Sequence, residues 1–208
     1  MEFGLYVITE AWGGRSHLDV ARAALAGGAI AIQLRDKEAT TRQLMAVGGE
    51  ILALCRQAGA AFTVNDRLDV ALALAADGVH LGPEDLPVAD ARRIADAVRP
   101  GLVIGASAGT AEEALTAERD GADYLGVGSI FGTATKPDAG PPVGIERIRG
   151  IRAVTRLPIV AIGGITADNV AQVIEAGAAG AAVITAVSRA QDMRAAAAAI
   201  ASLLGARR

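Results

Sequence analysis

The sequence predicts an α/β protein, a single (β/α)8 TIM barrel filling residues 1–208 as one domain. Short apolar runs alternate with longer helical patterns eight times along the chain, an order that implies a parallel sheet. Most of the helical patterns stop at a glycine, including Gly27-Gly28, Gly59, Gly78, Gly121 and Gly177. A doubly wound open sheet would usually have fewer strands and a glycine fingerprint after the first, and none follows Thr9.

Leu5–Thr9 reads as the first strand and Leu18–Ala26 as its helix. Ile30–Arg35 follows as a strand whose uninterrupted apolar start marks burial on both faces, then a helix over Thr41–Ala58. Phe62–Asn65 and Val79–Leu81 are strands, with helices over Leu68–Ala76 and Val88–Val98, the latter closed by Pro100-Gly101. The strand Val103–Ser107 precedes a helix over Ala111–Arg119, and Tyr124–Gly128 precedes a long loop and a helix over Ile145–Val154. Ile159–Ile162 with Ala167–Ala176, then Ala181–Thr185 with the alanine-rich Asp192–Leu204, complete the series. At about 26 residues per unit this is compact for a fold that typically reaches about 250 residues.

Composition narrows the partners. A net charge of −3 without a basic block argues against nucleic acid or an anionic membrane and leaves small molecules. No apolar run is long enough to span a bilayer, and no charged n-region leads an h-region after Met1, so the protein is expected in the cytoplasm. The single cysteine, Cys55, lies in a helical pattern and reads as a small core residue of a reducing compartment. The sequence leaves oligomeric state open, a homo-oligomer included.

Barrel enzymes work at the C-terminal ends of their strands, and polar residues gather there. In Gln33-Leu34-Arg35-Asp36-Lys37 the polar side chains alternate, which on a continuing strand puts Gln33, Arg35 and Lys37 on one face. Such a cationic cluster suits an anion, unless Asp36 simply pairs with Arg35 or Lys37. Asp66 and Asp85 end the third and fourth strands, so they are neighbours at the rim. Two carboxylates beside cations suit Mg²⁺ held together with phosphate oxygens, and Asn65 can reach the same oxygens. His80 lies within its strand and is expected to serve the core or to support other residues. The loop Ile130–Pro142, with Thr133, Thr135 and Lys136, suits a phosphate-touching lid. Gly163-Gly164 and Ile184-Thr185 follow strands seven and eight, where barrels often bind phosphate through backbone N–H groups. No Ser/His/Asp nucleophile set is apparent, which argues against hydrolysis through a covalent intermediate.

Together these motifs resemble the thiamine-phosphate synthase family over essentially the whole chain. The pattern is Gln33-x-Arg35-x-Lys37, Asn65-Asp66, the Gly78–Asp85 turn with His80, Ser107, Thr133-x-Thr135-Lys136, Gly163-Gly164-Ile165 and Ile184-Thr185. Each is weak alone, and their shared order on successive strands is specific. Gly82-Pro83 stands where the family commonly has glutamine, and Thr185 where it commonly has serine. The resemblance implies Mg²⁺-dependent coupling of 4-amino-5-hydroxymethyl-2-methylpyrimidine diphosphate with a thiazole monophosphate, releasing pyrophosphate. It implies that Gln33, Arg35, Lys37, Asn65, Ser107 and Lys136 grip the pyrophosphate and that Asp66 and Asp85 hold Mg²⁺. Thr133, Thr135, Gly164, Ile184 and Thr185 would receive the thiazole phosphate. The rivals are a thiazole tautomerase, which would need a histidine at the mouth, and a non-catalytic phosphate-ligand sensor.

Overall fold

A computed structural model of the chain describes residues 3–132 and 141–205. In order they form β1 (Leu5–Ile8), α1 (His17–Ala26), β2 (Ala31–Leu34), α2 (Thr41–Ala58), β3 (Ala61–Asn65) and α3 (Leu68–Ala73). Next come β4 (Gly78–Leu81), α4 (Val88–Val98), β5 (Val103–Ser107), α5 (Ala111–Arg119), β6 (Tyr124–Val127) and α6 (Glu146–Arg152). The chain finishes with β7 (Ile159–Ile162), α7 (Val170–Glu175), β8 (Gly180–Val183), α8 (Thr185–Ser188) and α9 (Met193–Gly205). The strands pair in parallel in sequence order, and β1 returns to pair with β8, closing the predicted barrel.

Local chemistry sets the helix ends. Ser16 and Asp19 form a capping box at the start of α1, and Thr40 and Gln43 form one at the start of α2. Gly59 ends α2 in the left-handed conformation, φ 66°. Most departures from the expected boundaries lie at element ends. β2 stops at Leu34 rather than Arg35, β8 stops at Val183, and Thr185 opens the short helix α8, which periodicity does not reveal. One turn is too short for an amphipathic pattern to register.

Alternate strand residues divide between two cores. Outward side chains such as Val7, Ile32, Val64, Val79 and Ile104 meet alanines and branched residues of the helices in the larger cluster. Inward side chains, Tyr6, Ile8, Ala31, Tyr124, Val160 and Ala182, form a second cluster inside the barrel. The interior has room for Tyr124 because Gly105 faces it. A Cβ at Gly105 would lie 2.1 Å from the ring carbon Cζ. No helix among the described residues is long and apolar enough to cross a membrane.

Cys55 sits fully buried on the inner side of α2. Burial pushes its thiol up to about 12, the nearby Asp77 carboxylate adds to the rise, and Arg56 opposes it. The folded protein therefore keeps the thiol neutral, while the unfolded chain ionises it near its ordinary value of 9.0. The corresponding stability is intact below that value and is lost as pH rises towards the folded value. Denaturant titrations between pH 8 and 11 should show the parent losing stability faster than Cys55→Ala, by at most about 1.4 kcal/mol per pH unit. Equal slopes would contradict a buried neutral thiol.

Candidate active site

The C-terminal strand ends surround a cavity of about 650 Å³. Gln33, Arg35, Lys37, Asn65, Asp66, Asp85, Ser107, Gly164, Ile184 and Thr185 all line it. Thr133, Thr135 and Lys136, with the centre of the expected lid, lie outside the described residues.

Gln33 is 2 % exposed, and its amide donates to the Tyr6 hydroxyl at 2.9 Å. The strict alternation expected through Lys37 does not extend along a strand, because Asp36 turns the chain. Its Oδ1 accepts the backbone N–H groups of Glu38 and Ala39 at 3.0 and 3.1 Å. Arg35 and Lys37 nevertheless reach the same cavity as Gln33. Asp36 pairs with His17, at 3.3 Å, and among the described residues neither Arg35 nor Lys37 forms an ion pair with a carboxylate. Their charge is directed at the mouth.

Opposite them, the chain leaves β3 with Asp66 at φ 62°, a left-handed conformation that aspartate tolerates better than most residues. Its N–H still donates to the carbonyl of His80 at 2.8 Å, and Asp66 makes no helix cap, since Arg67 takes that position. The Asp66 carboxyl interacts electrostatically with that of Asp85, whose Oδ2 accepts the Gly82 N–H at 2.6 Å. Burial pushes Asp66 up to about 6, and the neighbouring Asp85 carboxyl pushes the same way, against Lys37 and Arg35. Two carboxylates this close cannot both ionise cheaply without a cation. Among the described residues no group of three or more His, Cys, Asp or Glu side chains forms a metal cage. A two-carboxylate donor set fits Mg²⁺, which keeps several waters or substrate oxygens rather than a full set of protein ligands.

The cavity floor is a polar network that the apolar strand patterns conceal. The Tyr6 hydroxyl bonds to Thr63, Tyr124 (3.2 Å) and Gln33. His80 continues the network, with Nδ1 3.1 Å from the Tyr124 hydroxyl and Nε2 3.1 Å from Ser107 Oγ. His80 thus contacts both Tyr124 and Ser107, and it also lines the cavity directly. Burial raises the pKa of both tyrosines, most strongly Tyr124, so they remain neutral hydroxyls at physiological pH. The sequence contains two tyrosines, each on a strand at an inward position, and that coincidence is the signal available for the floor.

The wall after β7 is glycine for a steric reason. Gly164 has φ 68°, and a Cβ there would lie 2.4 Å from the Gly132 carbonyl. The close approach arises because Ile130 and Phe131 continue β6 beside β7, donating to Ile162 and Gly163 at 2.9 Å. The helix expected from Ala167 begins at Val170 instead, because Thr166 and Asn169 form a turn in which the Thr166 N–H bonds Asn169 Oδ1 at 2.9 Å.

The acid pair has a direct spectroscopic consequence. In metal-free buffer the Asp66–Asp85 pair should titrate with one step near pH 6, followed by carboxyl-carbon NMR. Asp85→Asn removes a neighbouring charge and should move the Asp66 midpoint down towards the ordinary carboxylate range. A midpoint that stays put would mean that burial alone raises it.

A family model described as thiamine monophosphate synthase matches residues 5–187. Thiamine-phosphate synthase of Moorella thermoacetica is 56% identical over 198 residues, covering 94% of this chain and 93% of the relative. That of Methanospirillum hungatei is 52% identical over 206 residues, covering 98% of each. The solved thiamine phosphate pyrophosphorylase of Pyrococcus furiosus superposes with a TM-score of 0.89 at 46% identity, covering 97% of this chain and 95% of that one. With the family model running from β1 into α8, and with more than half the residues shared with two relatives over nearly the whole chain, the protein belongs to the thiamine monophosphate synthase family.

Proposed function

We propose that the protein is an enzyme, a thiamine-phosphate synthase. It joins 4-amino-5-hydroxymethyl-2-methylpyrimidine diphosphate to 4-methyl-5-(2-phosphoethyl)thiazole, or to its carboxylated tautomer, giving thiamine phosphate and pyrophosphate, with carbon dioxide also lost from the carboxylated form. The observation that carries this reading is the electrostatically coupled Asp66–Asp85 pair sharing one cavity with Arg35 and Lys37. That arrangement offers cationic groups and a divalent-metal site to one polyanion.

Departure of pyrophosphate leaves a cation that the aminopyrimidine ring delocalises, and the thiazole nitrogen then attacks that carbon. The nitrogen carries no proton, so no general base is required. Arg35, Lys37, Asn65 and Lys136 hold the leaving group, with Gln33 and Ser107 at the inner end of the site. Preorganised donors stabilise charge as it develops, which is where such groups contribute most. Asp66 and Asp85 hold Mg²⁺, which when bound neutralises charge on the leaving group. Gly164, Ile184 and Thr185, with Thr133 and Thr135, receive the thiazole phosphate and bring its nitrogen into line.

His80 at the cavity floor gives some support to a proton-shuttling thiazole tautomerase. That reaction leaves the carboxylate pair and the two cations without a task. Pyrophosphate release from the two substrates, assayed with and without Mg²⁺, separates the readings. Mg²⁺-dependent release is expected, and its absence with both substrates present would overturn the synthase reading.

Arg35→Lys should lower kcat/KM by about 2–4 kcal/mol of transition-state stabilisation, because a point charge replaces a bidentate fork. The melting temperature should hardly fall, since Arg35 forms no close ion pair with a carboxylate among the described residues. A destabilised but fully active variant would show that Arg35 serves the fold.

A further inference from the structure

Outside the cavity, a buried histidine is tied to the segment that carries the two mouth cations, directly at Asp36 and through Thr9 at Arg35. His17, the first residue of α1, is 8 % exposed. Its Nδ1 lies 2.8 Å from Thr9 Oγ1, and its Nε2 lies 3.3 Å from Asp36 Oδ2. Thr9, itself 1 % exposed, also accepts the backbone N–H of Arg35 at 3.4 Å.

The chemistry of these groups fixes the direction of each bond. An ionised Asp36 only accepts, so His17 Nε2 carries the hydrogen. In the neutral ring Nδ1 is then the acceptor, and it takes the Thr9 hydroxyl proton. That leaves the Thr9 oxygen lone pairs for the Arg35 N–H. The relay runs from Arg35 N–H to Thr9 and from Thr9 to His17, whose Nε2 faces the Asp36 carboxylate at 3.3 Å. It takes over where the sheet ends, since the last ladder bond here is Thr9 N–H to the Gln33 carbonyl, at 2.9 Å.

We infer that His17 is a positioning residue: through Thr9 and Asp36 it sets the Arg35–Lys37 segment for a pyrophosphate-bearing ligand. The role has two parts. The relay fixes the backbone of Arg35, and it occupies an Asp36 carboxylate oxygen that would otherwise be open to the flanking cations. An Asp36 released from His17 would compete with the ligand for Arg35 and Lys37. The inference rests on the synthase reading for the identity of the ligand.

The test is a calorimetric titration of inorganic pyrophosphate in Mg²⁺, alongside steady-state kinetics with both substrates. His17→Ala should weaken pyrophosphate binding and raise KM for the pyrimidine diphosphate by about 10–100-fold, the range for loss of a group that orients a ligand-binding residue. KM for the thiazole phosphate should be unchanged, which a general loss of structure would not produce. His17→Gln, which keeps a donor directed at Asp36, should restore much of the binding. Adding Asp36→Asn to His17→Ala should also recover part of it, because the amide keeps Oδ1 for Glu38 and Ala39 without the competing charge. Thr9→Val, which preserves volume and cuts the relay one link earlier, should reproduce the loss and carries the test if His17→Ala does not fold. A folded His17→Ala or Thr9→Val variant with parental pyrophosphate affinity, or equal KM changes for both substrates, overturns the inference. A parent protein that binds pyrophosphate but never releases it from substrates overturns the synthase reading, and the titration still decides the role of His17.

Discussion

Pairing of β1 with β8 is the constraint from which the site follows. Parallel strands cannot be joined by tight turns, so each needs a helical crossover, and the sheet has open edges until its first and last strands meet. Closure aligns Leu5 with Ala181 and Val7 with Val183. It brings Gln33, Asp66, Ser107 and Thr185 to one rim from four different strand–helix units. The join is reinforced at the mouth, where Arg15 donates to the carbonyls of Ser188 and Ala190 at 3.0 and 2.6 Å and Glu10 pairs with Arg189 at 2.8 Å.

Closure also creates an interior that must be filled, and this barrel fills it unevenly. Tyr6 and Tyr124 cross the space left by small residues such as Gly105, Ala31 and Ala182. Their hydroxyls would be costly to bury alone, so they bond to one another and to Thr63, Gln33 and His80. The result is a polar network that ties Gln33 and Ser107 into the cavity. Core packing and site construction are here the same set of contacts.

At the rim the electrostatics divide by element. The segment after β2 supplies positive charge through Arg35 and Lys37, while Asp36 faces His17 instead. The ends of β3 and β4 supply two carboxyls whose mutual repulsion and burial raise Asp66 despite Arg35 and Lys37. An empty site of this kind holds charge in a poorly solvated place, a cost retained where a charged ligand is to be met.

The sequence by itself determines the alternation of strands and helices and therefore the barrel. Runs such as Ala29–Leu34 are apolar on both faces only when a strand lies between a helix layer and an interior, and stop glycines such as Gly59 end helices locally. It also determines which residues stand at strand ends, so the rim positions of Arg35, Asp66, Asp85 and Ser107 are readable from order alone. Tertiary structure decides the rest. A strand buried on both faces does not show in its sequence which face is inside, so the Tyr6–Tyr124–His80 floor is invisible before closure. Adjacent strands place Asp66 near Asp85, but the left-handed turn at Asp66 and the Gly82 bond to Asp85 are features only of the folded chain. The sequence neighbours of Asp36 are two cations, yet its partner is His17, because a charge contact is chosen by distance in the folded chain and not along it.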